Sequence, residues 1–148
     1  MKKLLVSDYD QTFYLNDEDI EKNKIAVKKF INKGNIFVIA TGRSYDDFMK
    51  KKKQYNIEYD YVIINHGATI LDKEDNIIFE VTMPNEILNN LKFDLHIENA
   101  EKHFCCSLLE SRVEFEHENL TKIHVKYSDL EYSNEIQKKL KEKWKNFL

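Results

Sequence analysis

Three short stretches carry their apolar residues in unbroken runs rather than in alternation: Leu4-Leu5-Val6, Ile36 to Ala40 and Tyr61 to Ile64. Unbroken runs suit strands of a parallel sheet that is covered on both faces. The first predicts a strand over Lys3 to Ser7. Between the runs the period changes from that of a strand to that of a helix. Asp17 to Lys33 places Ile20, Ile25, Val27, Phe30 and Ile31 on one approximate face. Asp17, Glu18 and Asp19 favour the start of that helix and Gly34 its end. A second helix is predicted from Ser44 to about Gln54, with Asp47 as a capping-box-like partner three residues on. Strand, helix, strand, helix, strand in succession implies a parallel sheet with right-handed crossovers. Thr69 to Asp72 and Ile77 to Val81 flank Lys73-Glu74-Asp75-Asn76 and read as a hairpin.

The pattern changes after Pro84, the only proline. Asn85 to Leu91 predicts a helix; His103 to Leu109 and Arg112 to Phe115 predict antiparallel strands. Lys122 to Tyr127 alternates, with Ile123, Val125 and Tyr127 on one side and Lys122, His124 and Lys126 on the other. Tyr132 to Phe147 reads as an amphipathic helix carrying Ile136, Leu140, Trp144 and Phe147, with Ser133 as a cap. The expected division is residues 1–83 as an α/β core and residues 84–148 as a smaller α+β lobe.

Composition narrows the class. The chain has 148 residues, 42% hydrophobic and 33% charged, which is a globular and not a disordered composition. A net charge of −3 argues against nucleic acid as a partner. The opening Met1 to Val6 stops at Ser7-Asp8, too short for a signal core, and no membrane-spanning stretch follows. The expected location is the cytoplasm. Cys105 and Cys106 are adjacent and read as strand residues, not as a redox or metal pair.

The chemistry gathers where the three apolar strands end. In an open parallel sheet the ligand crevice lies at the carboxyl ends of the strands. Asp8 and Asp10 follow the first, Thr41-Gly42-Arg43 the second, and Asn65-His66-Gly67-Ala68 the third. Two carboxylates this close repel, so the pattern suits holding a cation, moving a proton, or both. Asp8 suits attack on phosphorus and Asp10 suits proton transfer. Thr41 offers a hydroxyl, Gly42 a close approach of the backbone, and Arg43 either a phosphate contact or a tie that orders the loop. His66 is a candidate phosphate ligand, or a loop histidine making one hydrogen bond.

Together Asp-Tyr-Asp-Gln-Thr, Ala-Thr-Gly-Arg and Asn-His-Gly-Ala-Thr-Ile resemble the motifs of the Cof-type branch of the haloacid dehalogenase-like phosphohydrolases, over Met1 to about Met83. The resemblance implies a Rossmann-like three-layer α/β core with a partial α+β cap. It implies Asp8 as nucleophile and metal ligand, and Asp10 as acid/base with its backbone carbonyl a second ligand. Thr12, Thr41, Gly42, Arg43 and His66 become the phosphate-binding set, Mg2+ the cofactor, and a small phosphorylated metabolite such as a sugar phosphate the substrate.

The chain departs from that pattern in three places. Gln11 stands where the family usually has glycine. His66 takes the place of the usual asparagine, with Asn65 one position early. No later lysine and no acidic Gly-Asp loop is found; Ser128 to Glu135 is the nearest approach and lacks the glycine. The expectation is a chain that stops inside its cap and leaves a free sheet edge, open to homodimerisation or to a second polypeptide. A non-catalytic phosphate-binding or interaction module is therefore the alternative to a phosphatase. A response-regulator receiver fits less well, because Asn65 stands where its phosphorylatable aspartate belongs.

Overall fold

The computed structural model describes residues 1–145, so Phe147 lies outside the described residues. The chain divides into two units, Met1–Val81 with Leu108–Ser111, and Thr82–Ser107 with Arg112 onwards.

The first unit holds a five-stranded sheet. Its strands are β1 (Leu4–Asp8), β2 (Ile36–Ala40), β3 (Tyr61–Ile64), β4 (Thr69–Asp72) and β5 (Ile77–Glu80), side by side in that order. β1, β2 and β3 run parallel; β4 and β5 turn back as an antiparallel hairpin. Helices α1 (Asp17–Ile31) and α2 (Tyr45–Tyr55) form the two crossovers. Asn16 caps α1, its side-chain oxygen accepting from the amides of Glu18 and Asp19 at 3.0 and 2.9 Å. Gly34 ends the connection with φ +78°, its amide donating to the Ile31 carbonyl. Ser44 precedes α2, but its hydroxyl donates to the Asp47 carboxylate at 3.2 Å and makes no bond to a backbone amide. The hairpin turn is tied to α2 by Asp75, which accepts from Lys52 Nζ at 2.5 Å and the Tyr59 hydroxyl at 2.5 Å. Burial, and then Asp75, push the Tyr59 hydroxyl well above its ordinary value.

Two successive right-handed crossovers in one direction place both helices on the same face of the sheet. Strand register shows which face. Phe37, Ile39, Val62, Ile64 and Leu71 share it, and they form one core with Ile20 and Val27 of α1, Phe48 of α2, and Tyr9 and Phe13. On the other face Leu4 is 64% exposed, Val6 51%, Tyr61 38% and Phe79 48%; only Val38, in mid-sheet, is buried. The cover expected on both faces is thus described on one. Among the described residues β1 has a neighbour on one side only, β2. Ile25, expected on the buried side of α1, is exposed.

In the second unit β6 (Lys102–Ser107) lies between β7 (Ser111–Val113) and β8 (Leu120–Lys126), with α3 (Asn85–Asp94) and α4 (Leu130–Lys143) beside this sheet in sequence. Leu88, Cys105, Phe115 and Leu120 make its core. Both cysteines are buried free thiols on the central strand, and burial pushes Cys105 up to about 11. α4 begins earlier than expected: Asp129, not Ser133, caps it, accepting from the Tyr132 amide at 3.0 Å. No described helix is long and apolar enough to cross a membrane.

Candidate active site

The parallel register aligns the ends of β1 and β2, with Asp8 beside Ala40. The Thr41 amide donates to the Ile63 carbonyl and the Asn65 amide to the Arg43 carbonyl, both at 2.8 Å. The three loops singled out in the sequence therefore meet at one end of the sheet.

The first loop is held by its own main chain. The Phe13 amide donates to the Asp8 carbonyl at 3.1 Å, the Tyr14 amide to Tyr9 at 2.8 Å, and the Gln11 amide to Tyr14 at 2.9 Å. Gln11 sits at φ +60°. This left-handed region costs a residue with a Cβ about 1 kcal/mol or more, and glycine almost nothing. The turn is preserved here with glutamine in it. Tyr9, between the two aspartates, points into the core. Its ring stacks on Tyr14 at 5.8 Å and meets Phe48 edge-on at 5.7 Å. Its buried hydroxyl has no hydrogen-bond partner among the described residues, and burial pushes it up to about 12.

Asp8 and Asp10 are both exposed but differ in their partners. Among the described residues the Asp8 carboxylate makes no hydrogen bond or ion pair. Asp10 is clasped by Arg43, whose Nε and Nη2 donate to its two carboxylate oxygens at 2.9 and 2.8 Å. The guanidinium also lies over the Tyr9 ring, 5.3 Å from its centre. The hydrogen bonds that Arg43 donates to Asp10 raise its pKa above the ordinary value. Of the two expectations for Arg43, the structure shows the loop-ordering tie, not a side chain held out for phosphate.

Thr41 is buried, and its hydroxyl oxygen accepts from the Arg43 amide at 3.2 Å. Gly42 and His66 are closely packed: a Cβ on Gly42 would lie 2.3 Å from His66 Cε1. This is the close approach that requires glycine. His66 itself is left-handed, with φ +56°. Thr12 is exposed, and its side chain makes no hydrogen bond among the described residues. Asn65 is a site residue the sequence reading undervalued. It is buried, and its amide donates to Thr69 Oγ1 and to the Leu108 carbonyl, each at 3.3 Å. No local pattern announces a partner so far along the chain.

A hard divalent cation takes oxygen donors. The Asp8 carboxylate suits that chemistry. The Asp10 carboxylate is already engaged, which leaves its main-chain carbonyl. Among the described residues no group of three or more His, Cys, Asp or Glu side chains gathers to complete a metal shell.

Paired aspartates at the end of a parallel strand, with a Thr-Gly loop and a buried asparagine beside them, are matched by a sequence model of the haloacid dehalogenase-like hydrolases over residues 5–148. The chain belongs to this family. A protein of Buchnera aphidicola subsp. Baizongia pistaciae, named as a proposed phosphatase, is 32% identical over 96 residues, which is 62% of this chain and 34% of that protein. A haloacid dehalogenase-like hydrolase from B. subtilis superposes with TM-score 0.60 at 27% identity, covering 70% of this chain and 36% of its own. A phosphatase of the same superfamily from Bacteroides thetaiotaomicron gives TM-score 0.58 at 25% identity, covering 91% and 52%. The chain spans about a third of the length of the curated relatives it matches.

Proposed function

We propose that this haloacid dehalogenase-like hydrolase is a phosphatase acting on a small phosphorylated metabolite in the cytoplasm. The observation that supports it most is the uncommitted Asp8 carboxylate at the end of β1, beside the Thr41-Gly42 and His66 loops. In this reading an Asp8 oxygen attacks phosphorus, the phosphorus–oxygen bond to the leaving group breaks, and the leaving oxygen takes a proton from Asp10. Water then attacks the aspartyl phosphate and gives a proton back to Asp10, which releases phosphate and restores Asp8. Asp10 reaches its donor state only when Arg43 lets go of one carboxylate oxygen. Thr12, Thr41, the Gly42 backbone and His66 orient the phosphoryl oxygens, and the second unit acts as a cap. Mg2+, held by the Asp8 carboxylate, the Asp10 carbonyl and water, supplies positive charge to those oxygens when bound.

One observation favours the second reading, a phosphate-binding module without turnover. Arg43 occupies both oxygens of Asp10, so the proton carrier is withheld. Release of inorganic phosphate from a panel of sugar phosphates and nucleotides, with and without Mg2+, decides between them. Release that falls about a thousandfold or more in Asp8→Asn supports the phosphatase. No release from folded protein, or release unchanged in that variant, removes Asp8 from the chemistry.

A further inference from the structure

The main chain of Arg43 is pinned from both sides. Its amide donates to Thr41 Oγ1 at 3.2 Å, and its carbonyl accepts from the Asn65 amide at 2.8 Å. Thr41 and Asn65 are themselves buried. From this anchor the side chain crosses to the first loop. Among the described residues its only hydrogen bonds are the two to the carboxylate oxygens of Asp10. Beneath the guanidinium, 5.3 Å away, lies the Tyr9 ring, which is fully buried and fixed against Tyr14 and Phe48. The face of an aromatic ring attracts a cation electrostatically and offers it no hydrogen-bond acceptor to fix its direction. The guanidinium thus rests on a flat support, and Asp10 alone sets the way it points.

We propose that this clasp is a resting state which the phosphate of the substrate opens: the Arg43 guanidinium turns from Asp10 to the phosphoryl group, and Asp10 is freed only when a phosphate is in place. What the freed Asp10 then does rests on the phosphatase reading; the exchange itself does not. The two loops that the clasp joins carry the other groups of the site, with Asp8 two residues before Asp10 and Thr41-Gly42 directly before Arg43. Because the main chain of Arg43 is held at Thr41 and Asn65, the exchange needs rotation of the side chain and no movement of either loop.

Carboxylate and phosphate compete for the same fork. A carboxylate offers two oxygens and one negative charge. A phosphomonoester offers three oxygens and close to two charges at neutral pH. The planar guanidinium pairs with either through two parallel hydrogen bonds. Arg43 therefore keeps two acceptors and its aromatic support throughout, and moves towards the greater charge. A metabolite without phosphate has nothing to offer the fork and leaves Asp10 bound. The presence of a phosphoryl group is in this way coupled to the availability of the proton carrier. One side chain serves first as the loop tie and then as a phosphate ligand.

The test uses a proton–nitrogen correlation spectrum of the whole chain with Mg2+ present. The chain has two arginines, Arg43 and Arg112, so the arginine Nε region holds two signals, and Arg43→Lys identifies the first. Inorganic phosphate is the probe. The Arg43 signal is expected to move and saturate as phosphate is added, and to end where it lies in phosphate-saturated Asp10→Asn. Chloride at the same ionic strength is expected to leave it in place. Asp10→Asn removes the competing charge and is expected to tighten phosphate binding about tenfold. An Arg43 signal that phosphate does not move, one that chloride moves as far, or an Asp10→Asn variant that binds phosphate no more tightly than the wild type overturns the proposal. The spectrum requires no turnover. An exchange in a chain that releases no phosphate from esters would therefore uphold the proposal and count against the phosphatase. Phosphate release by a chain whose Arg43 signal never moves would do the reverse.

Discussion

Phe37, Ile39 and Val62 sit on one face of the first unit's sheet, sealed beneath α1 and α2 with Phe48 and Tyr9. Leu4, Val6, Tyr61 and Phe79 sit on the other, exposed. The side chains are of the same kind. What separates them is topology, because two crossovers stepping in one direction spend both helices on one face. Burial is thus set by connection order as much as by hydrophobicity.

Mutations at matched positions should show the contrast most strongly. Phe48→Ala, on the sealed side, is expected to cost about 3–5 kcal/mol. Leu4→Ser, on the open side, is expected to change stability by no more than about 0.5 kcal/mol in the monomer. Urea denaturation of the two variants measures both, and similar losses would mean that the open face is covered in solution. Gly42→Ala comes next. Its methyl group would meet the His66 ring at 2.3 Å, so the ring must move. A cost of about 1–3 kcal/mol is expected, and His66→Ala in the same chain should recover most of it. Additive losses in that double-mutant cycle would show that the two residues do not touch.

Alkali gives a subtler probe of the sealed face. The Tyr9 hydroxyl is raised from 10.0 to about 12 by burial, so folding favours its neutral form. That contribution is whole below pH 10 and is lost as pH climbs towards 12. Cys105 loses its contribution earlier, from pH 9 towards 11. Stability should therefore fall in alkali, and Tyr9→Phe should flatten the later part of the decline in a series of denaturation curves. The smallest expected effect is a gain. Gln11→Gly relieves a left-handed residue at φ +60°, and part of that is returned as unfolded-chain entropy, so a net gain of up to about 1 kcal/mol is expected. A loss would mean that the glutamine side chain supports the loop.

Much of this was legible in the sequence. The unbroken apolar runs marked β1, β2 and β3, and the hairpin turn at Asp75 was plain. The strand-end rule brought Asp8, Thr41 and His66 to one edge because it depends only on chain order. Three features were beyond it. A continuous apolar run reads the same in a central strand and in an edge strand, so it does not tell that β1 has a single neighbour among the described residues. The clasp between Arg43 and Asp10 joins loops 33 residues apart, and no local pattern records such a partner. Ser44 and Ser133 both resembled caps, but capping depends on where the helix begins, and Asp129 lies nearer the start of α4.

The loop from Asp8 to Tyr14 is fastened by main-chain hydrogen bonds from the amides of Gln11, Phe13 and Tyr14, by the Asn23 side chain on the Phe13 carbonyl and by Arg43 on the Asp10 carboxylate. The Asp8 carboxylate contributes none of those fastenings. Foldability and reactivity are accordingly inherited separately at this point in the chain. A change of Asp8 to asparagine, one nucleotide away in the genetic code, would remove the carboxylate proposed as nucleophile and leave the turn standing. A lineage of such proteins can therefore pass between catalyst and inert binder, in either direction, without crossing an unfolded ancestor.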